Sequence, residues 1–151
     1  MTLYEIVKTL HILSATVLFG TGLGTAWFFW QAHCTGDAAT IAATARAVVR
    51  ADWLFTTPAV ILQPLSGAWL IHAVGYSPAE PWLLWTYALY ALTGVCWLPV
   101  VWLQIRMRDL AAASDGALPP LYHRYARIWF ALGWPAFAAV IVIFGLMVAR
   151  P

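Results

Sequence analysis

Few residues in this chain are able to do chemistry, and two histidines stand out among them. His11 falls inside the first long apolar run, and His72 sits in the last turn of the second. An ionisable side chain in hydrocarbon needs a partner, water or a function. If the two runs are antiparallel, the second ends in the leaflet where the first begins, which puts both imidazoles at similar depth. Neutral imidazole nitrogens facing one another across a helix pair suit bis-imidazole ligation of a haem iron. Lys8, close before His11, is placed to snorkel to the surface or to bind a carboxylate such as a haem propionate.

At about 100° per residue, His11, Ser14, Leu18, Gly22 and Thr25 form one stripe on the first helix, with Ala15 beside it. Gly20, Gly22 and Gly24 leave the middle of that helix without bulk. A flat macrocycle fits against such a face. So does a second helix, because the Gly20–Gly24 spacing permits close backbone approach, and helix packing is the commoner use of that motif. An interfacial or hydrogen-bonded role is the alternative to ligation for both histidines. Copper or another transition metal on His11 and His72 is a further alternative, though two histidines alone leave it under-ligated. His33, His123 and the adjacent Cys34 have no metal-ligand spacing and read as solvated loop residues. Gln63, beside Pro64, is expected to bond carbonyls that the proline ring displaces. Asp52 is expected to cap the second helix, or to pair with Arg50 or an arginine of the second long loop.

The elements that must position these groups follow from composition. Of 151 residues, 63% are hydrophobic and only 9% charged, against about a quarter charged in a soluble chain. That excludes a disordered protein, a nucleic-acid binder and an ordinary cytosolic enzyme. What remains is an all-α, polytopic membrane four-helix bundle forming a single domain. A spanning helix needs about 20 apolar residues, and four runs provide them, at about 3–30, 53–74, 82–104 and 128–148. Tyr4, Trp30, Trp53, Tyr76, Trp82, Trp102 and Trp129 mark their limits, as aromatic residues do at the headgroup level. Pro58, Pro64, Pro99 and Pro135 fall within spans, where neighbouring helices can satisfy the carbonyls they free.

Arg46 and Arg50 lie between spans one and two, and Arg106, Arg108, Arg124 and Arg127 between three and four. By the positive-inside rule both long loops are expected in the cytoplasm and both termini outside. The Ala-rich stretch from Ala38 to Val49 reads as helical, extending a span or lying on the membrane. Ser114-Asp115-Gly116 and the Pro119-Pro120 pair read as a turn and a restart, and Gly75 to Pro81 as a short link between antiparallel helices. The opening segment lacks a small-residue cleavage site and reads as a retained first helix. Cys34 and Cys96 fit no disulfide framework, and no nucleotide-binding motif is present.

The stretches Lys8 to Ile12, Arg50 to Pro58, Trp97 to Gln104 and Gly133 to Phe137 resemble the bacterial membrane family of domain of unknown function 2269, across essentially the whole chain. That resemblance implies four helices in a bacterial inner membrane and no particular activity. A more distant likeness is to the HemJ-type protoporphyrinogen IX oxidases, four-helix membrane proteins that bind haem b. Their first span carries Lys-x-x-His, matched here by Lys8 and His11. Pro58 with Ser66 to Leu70 is similar to their second span, and Arg127, Pro135 and Ala149-Arg150-Pro151 to their last. By that likeness His11 is the haem ligand. The chain departs from the pattern in having no lysine between Trp82 and Gln104, and Ala131 to Trp134 where an Asn-Glu pair is found. Haem binding without the oxidase chemistry is compatible with those departures. The first-span histidine followed by small residues also resembles the copper-resistance D-type membrane proteins.

The expectation is therefore a lipid-embedded protein that binds haem b near the outer leaflet through His11 and His72, with Lys8 at a propionate and Gly22 under the macrocycle. Its task would be electron transfer or oxidation of a lipophilic substrate such as a quinol or porphyrinogen. A non-catalytic module that forms homo-oligomers or joins a larger membrane complex is the second reading, and copper handling the third.

Overall fold

The computed structural model describes residues 1–150. Helix α1 (Leu3–Thr35) begins at a capping box: the Glu5 amide donates to Thr2 Oγ1, and the Thr2 amide donates to the Glu5 carboxylate. It ends at Gly36, whose φ of +69° is a left-handed conformation open to a residue without Cβ. One residue later Asp37 accepts from the Thr40 amide at 2.8 Å and starts α2 (Ala38–Ala51). Hydrogen bonds from Thr40 hold the Asp37 carboxyl below the usual aspartate range.

Helix α2 does not stop at Asp52. It passes through a π-helical turn, Asp52–Thr56, into α3 (Thr57–Val74), so 37 residues form one rod. Asp52 is therefore not an N-terminal cap; its own amide donates to the Val48 and Val49 carbonyls. Its buried carboxylate accepts from Thr56 Oγ1 at 2.9 Å, and among the described residues it has no arginine partner. Pro58 accounts for the turn. A proline ring crowds the carbonyl four residues back and supplies no N–H, and a widened turn just before it absorbs both.

Helices α4 (Pro81–Ala112) and α5 (Pro120–Ala149) each start on a proline, which suits the first helical position. All four rods are long and apolar enough to cross a membrane. They run past the apolar stretches seen in sequence, chiefly at the end where the arginines collect. The Ala-rich stretch is helical and continuous with the second span.

Helix α4 packs along α5, α2 packs on α4, and α1 packs on both α2 and α3. The apolar core lies at the arginine-rich end, where Phe29, Ile41, Ala45, Leu103, Met107 and Tyr122 are almost fully buried. Edge-to-face aromatic pairs join α1 to α5: Phe29 with Trp129, and Phe19 with Phe137 and Phe144. Toward the other end burial in α1 and α3 falls on Ser14, Ala59 and Ser66, while large apolar side chains face outward. The start of α1 and the end of α5 lie at that end, and Arg150 Nη1 donates to Tyr76 Oη, in the α3–α4 link, at 2.9 Å.

Candidate functional site

Helices α1 and α3 are held together by a directed chain of polar groups around His11. The Ser66 hydroxyl donates to the Leu62 carbonyl at 2.6 Å, as serines in helices commonly do. Its one hydrogen is thereby used, so it accepts from His11 Nδ1 at 2.8 Å. His11 is then the Nδ1–H tautomer, with a lone pair on Nε2. Ser14 Oγ donates to the His11 carbonyl at 3.0 Å, and Gln63 Nε2 donates to that carbonyl at 2.8 Å and to Ser14 Oγ at 2.7 Å. Gly67 completes the seat: a Cβ there would lie 3.3 Å from His11 Cε1, so the imidazole rests where only hydrogen fits comfortably.

This network corrects the role expected of Gln63. Pro64 lacks an N–H and frees the Val60 carbonyl four residues back, but Gln63 does not take it. Tyr90 of α4 does, its hydroxyl donating to Val60 O at 2.6 Å. Gln63 instead reaches across to α1. Sequence spacing pointed to the freed carbonyl but not to a partner thirty residues away.

Among the described residues none of the other expected site residues hydrogen-bonds to His11. His72 is exposed, six residues beyond Ser66 and so about 9 Å further along α3. Lys8 is exposed, with its ammonium 5.7 Å from the centre of the Tyr4 ring. Gly22 faces Phe137, which lies 3.7 Å from where its Cβ would be, whereas Gly20 and Gly24 have nothing within 4 Å of that position. Among the described residues no three His, Cys, Asp or Glu side chains gather as a metal site.

Residues 5–151 match the family described as a predicted integral membrane protein, DUF2269. The chain belongs to the DUF2269 family. No curated protein and no solved structure gives a significant match. Family membership accords with the all-helical, membrane-spanning architecture of this DUF2269 chain and assigns no ligand to His11.

Proposed function

We propose that this integral membrane protein binds haem b, and that His11, through Nε2, would hold the iron. The observation that supports this most directly is the hydrogen bond from His11 Nδ1 to Ser66. Metal-ligating histidines commonly donate their other ring N–H to a fixed acceptor, which sets the tautomer and the ring orientation, and Ser66 is such an acceptor.

The ligand fits and one wall fits, because Gly67 gives the imidazole room. Phe137 packs against Gly22, and His72 stands further along α3 than Ser66. In the proposed reading the protein is a homo-oligomer: His72 or a neighbouring copy would supply a second iron ligand, and Lys8 would pair with a propionate. Bound haem would supply one-electron chemistry toward a lipophilic donor such as a quinol or porphyrinogen. This chain's own part is to orient His11, keep its Nδ1 proton in place and exclude water. The proposed setting is the bacterial inner membrane, with the arginine-rich ends inside and both termini outside.

The test is the reduced-minus-oxidised absorption spectrum of the protein purified with haem available. The expected result is a Soret and α-band pair that disappears in His11→Ala. No haem bands in the wild type would end this reading, and copper found by elemental analysis in their place would favour metal handling.

A second reading rests on Gly20 and Gly24, which present open backbone to the outside of the chain. They suit close helix association in a non-catalytic membrane module. Cross-linked oligomers carrying no chromophore would favour it, and a monomer would count against it.

A further inference from the structure

A second cluster lies at the arginine-rich end, far from His11 and independent of any haem. There α1 and α5 enclose a cleft of about 280 Å³ lined by Trp30, His33, His123, Ala126, Arg127 and Phe130. Beneath it Tyr122 is completely buried, and its hydroxyl lies 3.0 Å from His33 Nδ1. A buried phenol must place its hydrogen, and His33 Nδ1 is its one hydrogen-bond partner among the described residues. Tyr122 therefore donates, Nδ1 accepts, and the His33 ring proton sits on Nε2. Tyr122 also stacks on His33 and meets His123 edge-on, which fixes both rings.

The cleft is thus furnished with donors: His33 Nε2–H, the His123 imidazole and the Arg127 guanidinium. Among the described residues no carboxylate lines it, and Arg127 has no ion-pair or hydrogen-bond partner. A metal would need lone pairs, and the Tyr122 bond turns His33 the other way. A planar fork of N–H donors matches phosphate oxygens in both geometry and charge. Trp30 and Phe130 form aromatic walls beside it, and basic clefts between membrane helices are suited to acidic lipid headgroups.

We propose that this cleft binds a phosphate group, with Arg127 as the principal contact and His33 and His123 as supporting donors. The phosphate belongs either to an anionic phospholipid or to free inorganic phosphate. The experiment uses the full chain purified in an uncharged detergent, with native mass spectrometry and thermal melting as readouts. The probes are phosphatidylglycerol, phosphatidylcholine and inorganic phosphate. The expected result is selective retention of phosphatidylglycerol over phosphatidylcholine. Losing a charge-assisted contact in Arg127→Gln should lower it about tenfold or more. Arg124→Gln, on the same helix but outside the cleft, should leave it unchanged. His123→Gln, at an exposed position, gives a smaller loss and serves as the second variant if Arg127→Gln does not fold. Stabilisation by inorganic phosphate that is lost in the same variants would name free phosphate as the ligand. No selectivity for phosphatidylglycerol together with no effect of phosphate would overturn the proposal. Equal losses in Arg127→Gln and Arg124→Gln would overturn it too.

Discussion

His11 and Ser66 are locked in one sense of donation across 2.8 Å, because the serine's hydrogen is already spent on Leu62. Lipid gives no hydrophobic force for bringing two helices together, so bonds of this kind act as glue between α1 and α3. Ser66→Ala should lower stability by about 1 kcal/mol, since it leaves the His11 N–H without its acceptor. Adding His11→Ala should cost little more. A double-mutant cycle on melting in detergent measures the coupling, and additive losses would refute the bond.

Tyr90 and Pro64 make a sharper pair. Tyr90→Phe strips the hydroxyl that reaches the Val60 carbonyl and should cost about 1 kcal/mol. In a Pro64→Ala background the helix supplies its own N–H to that carbonyl, so the same Tyr90→Phe change should be nearly silent. An equal cost in both backgrounds would show that the phenol acts some other way.

Two glycines should behave oppositely. Gly67→Ala pushes a methyl against His11 Cε1, where a Cβ would lie at 3.3 Å. It should destabilise by about 1 kcal/mol and disturb any signal that depends on His11. Gly22→Ala meets Phe137 at an ordinary 3.7 Å. It should leave stability unchanged or raise it by up to about 1 kcal/mol, as alanine favours helix over glycine. Paired melting curves decide between them.

Asp37 links stability to acidity. Its carboxyl is held below the usual range by Thr40, so its stabilising effect is present above the unfolded-state pKa of about 4 and fades as pH falls through the lower folded value. Asn caps helices about as well as Asp and carries no titrating group. Asp37→Asn should match the wild type near neutral pH and show a shallower loss of melting temperature in acid. Identical pH profiles would remove Asp37 from the account.

The four rods were legible because crossing hydrocarbon demands long apolar runs, and those runs are contiguous. His11 was legible for the same reason, as an ionisable group where the solvent penalises one. What was hidden depends on other helices. Nothing local to Gln63 distinguishes mending its own helix from reaching to Ser14. Tyr122 and His33 meet across 89 positions, so two histidines that resemble loop residues in sequence line a cleft against a buried phenol. The continuity of α2 with α3 was hidden by Asp52, whose charge looks like a helix start until Pro58 is seen to widen the turn before it.

That continuity divides the molecule between two solvents. A helix of 37 residues is about 55 Å long, and a hydrocarbon core is about 30 Å thick. The arginines point to α2 as the part in excess: it carries Arg46 and Arg50 and contributes Ile41, Ala42, Ala45 and Val48 to the apolar core. If the hydrocarbon covers the α3 part of this rod, much of that core is assembled beyond the lipid tails, where water would drive burial as it does in any soluble bundle. Denaturants that act through water should open this end first, while α1 and α3 stay paired within the detergent or bilayer.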